Sequence, residues 1–194
     1  MSAFRILAIR TVHEGWSRFL TAKVALPDGH VADRQIEDHG RGVGVLPYDP
    51  ERRVGLLVRQ PRTAAHFAEG VPEMLETIAG RLEGDEPPSE EARREAEEEA
   101  GLNLGELEHV VTVWASPEIS TERTTLFLAA YTEVNRAAEG GGLAEEHESV
   151  TPVEVPLADL ARMADAGQLI DMKTMLLVQT LRLRQPALFL ESPS

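Results

Sequence analysis

The 194-residue chain contains no cysteine, which excludes disulfides and thiolate zinc sites and leaves its redox compartment unread. Basic residues are scarce: 19 lysines and arginines stand against 33 aspartates and glutamates, for a formal net charge of −14. Such a charge repels a phosphate backbone, so nonspecific nucleic-acid binding is not expected. A phosphate-bearing ligand would need local positive charge, from a few arginines or from bound metal ions. No apolar run approaches the roughly 20 residues of a membrane span. The opening "MSAFRILAIRTVHEGW" also lacks an apolar core of signal-peptide length. These absences lead us to expect a cytoplasmic protein with neither membrane nor nucleic acid as partner. What is present, 42% apolar residues over this length, suffices for a core of ordinary size.

Apolar alternation and short apolar runs predict strands at Phe4–Arg10, Arg18–Leu26, Val43–Tyr48 and Val54–Gln60, with "PDG" at 27–29 and "DPERR" at 49–53 as turns. A further strand is expected from Pro72 to Ile78. A helix then follows "PPS", with Ser89 as N-cap, Glu90 and Glu91 in the first turn and Gly101 as its stop. Beyond it lie apolar runs at Leu107–Trp114 and Thr125–Tyr131, a polar glycine-rich loop over 135–149 and a strand-like "VTPVEVP". Two amphipathic helices are expected at about 157–166 and 171–185, the second capped by Asp171. The tail, 187–194, carries Pro and Ser and is expected to fray. Strands flanked by a few helices, without regular βαβ alternation, suggest an α/β (α+β) fold. We expect a mixed β-sheet sandwiched between helices over 43–186, preceded by an antiparallel strand region over 1–42.

The segment "GRLEGDEPPSEEARREAEEEAGL", residues 80–102, holds nine carboxylates and three arginines in twenty-three positions. On a helical wheel Glu91, Glu98 and Glu99 fall within about 60° of Glu95, and Ala92, Ala96 and Ala100 form an adjacent small-residue stripe. The alanines let the helix lie close to a sheet while the acids project along its edge. Like charges at i,i+4, such as Glu91/Glu95 and Glu95/Glu99, repel mildly in water and more strongly when partly buried, so a cation must compensate if the face is not solvated. Oxygen-only ligands favour Mg²⁺ or Mn²⁺. Arg94, one turn before Glu98, is placed to hold that carboxylate by a charge-assisted bond.

An acidic run on a helix is most often a solvated face. The wider spacing argues otherwise. Gly80, five residues, Glu86, seven residues, then Arg94-Glu95-Ala96-Glu97-Glu98-Glu99-Ala100-Gly101-Leu102 matches G-x5-E-x7-R-E-U-x-E-E-x-G-U at its seven fixed places. Chance produces seven fixed residues in register at about 10⁻⁸ per start position. By this box the chain resembles the Nudix hydrolases, which cleave a nucleoside diphosphate linked to another moiety with divalent metal and water. The resemblance implies metal ligation by Glu95, Glu99 and the Ala79 carbonyl, with Glu98 near them. Ala96 departs from the larger aliphatic usual in the family.

Pro117 in "SPEISTE", sixteen residues beyond Gly101, resembles the family's ADP-ribose and nucleotide-sugar pyrophosphatases, and later segments resemble the GDP-mannose pyrophosphatase branch: "RAAEGGG" at 136–142, "VTPVEVP" at 150–156 and "GQLIDMKTMLL" at 167–177. The likeness is loose at the N-terminus and good from Arg59 onward. It implies that Arg62 in "VRQPR" faces the substrate's phosphates, that Glu122 and Lys173 touch the ligand, and that Arg34 and Gln35 reach it from the N-terminal strands. Lys173 stands in the first turn of a helix, where the dipole disfavours cations, and so leans functional by itself. Gly80 and Arg81, the latter at a commonly aliphatic place, are further candidates for substrate contact. Trp16 is a candidate to stack on a base, although a lone Trp in a strand is more often core. Glu148 matches the position of a further metal ligand or base; Glu145 and Glu146 are its rivals, because this loop is two residues longer than the branch's pattern. Glu118 replaces the glycine usual after Ser-Pro.

The expected reaction is Mg²⁺-dependent splitting of GDP-mannose or ADP-ribose into a nucleoside monophosphate and a sugar phosphate, with Glu148 as base, Glu98 in reserve and Arg94 positioning Glu98. Relatives are homodimers that exchange N-terminal strands, and the same is expected here. A non-catalytic sensor of nucleotide sugars would have little reason to keep Glu95, Glu98 and Glu99 together. An enzyme of nucleoside triphosphates is disfavoured by the long N-terminal strand region and Pro117.

Overall fold

Among the residues that a computed structural model describes, 3–82, 84–138, 140–142 and 149–190, the chain forms ten strands and four helices. In order they are β1 (Arg5–Glu14), β2 (Arg18–Ala25), β3 (Val31–Asp38), β4 (Arg41–Asp49), β5 (Val54–Gln60), α1 (Thr63–Glu69), β6 (Met74–Glu76), β7 (Ile78–Arg81), α2 (Pro88–Ala100), β8 (Glu108–Trp114), β9 (Arg123–Ala130), β10 (Thr151–Pro156), α3 (Leu157–Asp165) and α4 (Met172–Arg184). The α/β class with a mixed sheet and an antiparallel N-terminal strand region is as the sequence implies. Two compact units divide the chain: Met1–Gly42 with Thr112–Thr124, and Val43–Val111 with Thr125–Ser194.

The first unit is built on an antiparallel sheet in the order β1-β2-β3. Only β2 buries a face, through Leu20, Ala22 and Val24; every residue of β1 is exposed. The segment after β8 docks on the end of β3, where Glu37 N–H donates to the Ile119 carbonyl and Thr121 N–H to the Glu37 carbonyl. Strand β3 was not foreseen. "VADRQIED" is polar and buries nothing fully, so it carries no apolar alternation to read.

In the second unit the strands run β10-β5-β4-β9-β8, with β6 pairing β5 and β7 pairing β4. The central strands are apolar on both faces because both faces are covered. On one, Val43, Val45, Leu56, Val58, Ile78, Phe127 and Ala129 meet Ala92, Ala96 and Ala100 of α2. On the other, Gly55 sits under Leu157 and Leu160 of α3, close enough that a β-carbon would touch both side chains. Each large side chain buried here contributes about 1.5–3 kcal/mol, and the alanine stripe lets α2 approach the sheet without a gap.

Helix α2 begins at Pro88, not after Ser89: Pro87 is the N-cap and offers no side-chain bond. Proline suits the first helical position because its missing N–H would be unpaired there anyway, and this overrides Ser89 as a cap. Gly101 ends the helix with φ of 64°, as expected. Asp171 caps α4, accepting from Thr174 N–H at 2.9 Å. Helix α1 was unforeseen and buries none of its residues. Pro186–Phe189, at the start of the expected tail, form a 3₁₀ turn and Phe189 is buried, while residues 191–194 lie outside the described residues.

Candidate active site

The site grows from the contact between β7 and α2. Glu95 leans so close to Gly80 that a β-carbon there would collide with its carboxylate, which explains the glycine at the start of the box without giving it a ligand contact. Ala79 N–H donates to Glu99 Oε2 at 3.3 Å, so the peptide expected to offer its carbonyl lies beside one of the expected ligands. Glu91 and Glu99 are buried, and the Glu95 side chain is 14% exposed. Burial, with the charge of Glu99 behind it, pushes the Glu95 carboxyl up from its usual 4.5 to about 8.

Arg94 gathers the outer acids. Its Nη1 donates to both oxygens of Glu98, at 2.9 and 3.1 Å, and its Nε and Nη2 donate to Glu91. The i,i+4 contact expected from spacing is therefore present, with an addition that the sequence reading did not assign: the fully buried Glu91 anchors the guanidinium from below. Arg94 stands 3.6 Å from Glu95, too far for a hydrogen bond. Among the described residues no three acids or histidines form a ready-made cage. The donor set nonetheless suits a hard divalent cation: crowded carboxylates, with Glu95 raised by burial and by the charge of Glu99, would be relieved by such an ion.

A second cluster joins β6 to α4. Arg62 donates to Glu76 through Nε at 2.8 Å and Nη2 at 2.9 Å, leaving Nη1 without a bond to any described residue. Lys173 Nζ donates to Asp171 at 2.7 Å and lies 3.5 Å from Glu76. Burial works against the Asp171 carboxylate, yet Lys173 and the Thr174 donors hold it below the ordinary aspartate range. Thr174 Oγ1 in turn accepts from Thr77 N–H at 2.7 Å, which ties the start of α4 to the strand segment before β7. The fold thus brings together Arg62, expected at the phosphates, and Lys173, expected to touch the ligand, around Glu76, which sequence reasoning missed. The signal available was a lone acid in the otherwise apolar run "MLETIAG". Glu99 is also among the charges acting on Arg62, which relates this cluster to the box helix.

The remaining candidates are distributed as follows. Arg81 is exposed at the end of β7. In the first unit, Arg34 and Gln35 are consecutive residues of β3, exposed, and point to opposite faces of the sheet. Glu122 accepts from Thr124 Oγ1 at 3.1 Å. Trp16 is not core: it is 72% exposed, with its ring edge-on to His39 at 4.6 Å. Glu145, Glu146 and Glu148 lie outside the described residues.

Known proteins resemble the chain over most of its length. A family model described as NUDIX domain matches residues 38–175. A GDP-mannose pyrophosphatase of Cronobacter sakazakii is 37% identical over 171 residues, covering 86% of this chain and 87% of that protein. Proteins of the same description from Enterobacter sp. and Klebsiella pneumoniae are 35% identical (77% of this chain, 78% of that one) and 32% identical (91% and 90%). Among solved structures, an ADP compounds hydrolase superposes with a TM-score of 0.73 over 95% of this chain and 97% of that one; at 17% identity it speaks for the fold alone.

Proposed function

This chain belongs to the NUDIX family, and from that premise we propose that it hydrolyses the diphosphate bond of a nucleotide sugar, with GDP-mannose the first candidate and ADP-ribose the second. The observation that carries the reading is the crowding of Glu95 and Glu99 against the Ala79–Gly80 peptide, in a chain whose relatives are GDP-mannose pyrophosphatases.

Glu95 and Glu99 would hold the divalent ion, with Glu98 and the Ala79 carbonyl at its margin, and Mg²⁺ or Mn²⁺ fits these oxygen donors. When bound, such an ion neutralises charge on the diphosphate oxygens and lowers the pKa of water. The protein's own groups do the rest. Arg62 presents its unbonded Nη1 edge, and Lys173 its ammonium, to the phosphates, both pre-aligned by Glu76 and Asp171. Arg94 fixes Glu98. Water adds to one phosphorus as the bridging P–O bond breaks, its proton passing to a carboxylate, and a nucleoside monophosphate and a sugar phosphate leave. Glu148 is the first choice for that base and Glu98 the second. Trp16, Arg34, Gln35 and Glu122 are assigned to the nucleoside and sugar, and Arg81 to a phosphate.

We assign the active form to a homodimer that exchanges N-terminal strands, located in the cytoplasm. Phe4, Ile6, Leu7, Ile9 and Val12 are each about half exposed on or beside β1, an unusual amount of apolar side chain for a strand facing water. No described helix is long and apolar enough to cross a membrane.

The test is a panel of GDP-mannose, ADP-ribose, other nucleotide sugars and deoxynucleoside triphosphates, incubated with Mg²⁺ and native protein or Glu99→Gln. Metal-dependent release of nucleoside monophosphate from a nucleotide sugar, lost in the variant, is expected. No product from any member would refute the enzyme, and preference for triphosphates would refute the substrate class.

A further inference from the structure

Helix α2 ends on the residues that matter most. Glu98 and Glu99 belong to its last turn, where carbonyls lack helical partners and the dipole is negative. No basic side chain stands in that turn to offset it. The carbonyls are met instead from elsewhere in the chain. Gly101 N–H donates to the Glu97 carbonyl at 2.9 Å, Gly142 N–H to Glu98 at 3.0 Å and Gly141 N–H to Glu99 at 2.9 Å. Glu99, a proposed metal ligand, and its neighbour Glu98 are thus the two residues whose backbone oxygens a glycine segment grips.

That grip demands glycine. Gly140, Gly141 and Gly142 all have positive φ, at 75°, 122° and 77°, which side-chain-bearing residues adopt only with strain. Gly140 also passes so near the helix that a β-carbon would stand 2.5 Å from the Glu99 carbonyl oxygen and 2.6 Å from Ala100 Cα. The segment is held from behind as well. Arg136 pairs with Leu102 in an isolated bridge and donates to Glu154 at 2.5 Å, while Glu154 also accepts from Arg52 and Tyr131. Ala137 and Ala138 N–H both donate to the Gly101 carbonyl.

We propose that Gly140, Gly141 and Gly142 are positioning residues for the metal ligands: by binding the carbonyls of Glu98 and Glu99 they set the last turn of α2 and so the placement of those carboxylates. The inference rests on the functional reading above. A purely structural segment would affect stability alone, whereas a positioning segment changes metal affinity beyond any loss of stability.

The test is Mn²⁺ binding to chelator-treated full-length protein, followed by the electron paramagnetic resonance signal of free Mn²⁺, with melting temperature measured alongside. Gly140→Ala is expected to weaken Mn²⁺ binding about tenfold and Gly141→Ala about threefold, with KM for GDP-mannose at saturating metal within about twofold. Gly167→Ala is the control: it has the same left-handed strain at φ of 69°, nothing within 4 Å of the added carbon, and a place in the turn between α3 and α4. It should lower the melting temperature and leave Mn²⁺ affinity unchanged. If Gly140→Ala does not fold, Gly141→Ala decides, since its added methyl meets nothing nearer than the Val150 carbonyl at 3.8 Å. Glycine variants that melt lower but bind Mn²⁺ like the native protein overturn this inference alone. A native protein that neither binds Mn²⁺ nor releases product takes the functional reading down with it.

Discussion

Glu95 shows how one side chain can be a cost to the fold and an asset to the site. Its carboxyl is raised to about 8 from 4.5, chiefly by burial and then by Glu99. A group with a raised folded pKa favours the native state fully below its unfolded value, and that contribution is lost as pH rises towards the folded one. Metal-free protein should therefore lose stability between about pH 4.5 and 8 on account of Glu95. Glu95→Gln should flatten that slope and raise the metal-free melting temperature at pH 8, while abolishing Mn²⁺ binding. Thermal melts across pH in chelator, beside a Mn²⁺ titration, check both halves; a variant less stable than native at pH 8 would contradict the first. Glu76 acts at the same scale. It bonds Arg62 through two nitrogens, so Glu76→Gln should raise KM for the nucleotide sugar by about tenfold with a smaller effect on kcat, as expected for lost ground-state alignment.

Among elements, legibility followed apolar patterning, which even the exposed β1 carries. Helix α2 could be read from sequence because its fixed spacing, alanine stripe and terminal glycine all report on one packed face. Strand β3 and helix α1 could not, because "VADRQIED" and "TAAHFAE" bury no residue fully and leave no periodic trace. The start of α2 was misplaced because a serine suggested a side-chain cap where a proline pair set the turn. The box carboxylates were visible as candidates, whereas Glu76 and Glu91 were not assigned, since their importance lies in contacts formed across elements or beneath the helix. Glu154 is another such group, joining β10 to Arg52, Arg136 and Tyr131. Arg52 foremost, against partial burial and with help from Arg136 and Tyr131, lowers its carboxyl to about 2. A depressed carboxyl stabilises above its unfolded pKa and ceases to as pH falls through the folded one. Glu154 should thus contribute to stability at neutral pH and lose that contribution between about pH 4.5 and 2. Acid melts of Glu154→Gln should show a shallower fall in that window than native protein, starting from a lower neutral-pH stability.

For the whole molecule, the proposed function reconciles an acidic surface with a diphosphate substrate through Arg62 and Lys173, aligned by Glu76 and Asp171, together with a divalent ion held by the box carboxylates. The exposed apolar residues of β1 belong to the same scale, because the proposed exchanged dimer rests on them. Ile9→Glu should convert a particle of twice the chain mass, read by light scattering after size-exclusion chromatography, into one of single mass, with loss of turnover. A native protein that is already monomeric and active would refute the exchanged dimer. Pro117 and the segment around it illustrate the limit of reading from sequence at this scale. They resemble the family by pattern, yet the backbone bonds to Glu37 that hold the segment on β3 are visible only in the structure.

The most direct measurement is anomalous scattering from Mn²⁺ in crystals of the native protein soaked with the ion. A peak within coordination distance of Glu95 and Glu99 beside the Ala79 peptide, absent in Glu99→Gln, is the predicted result. Manganese bound elsewhere, with those two carboxylates turned away from it while the same preparation still cleaves GDP-mannose, would contradict the central claim.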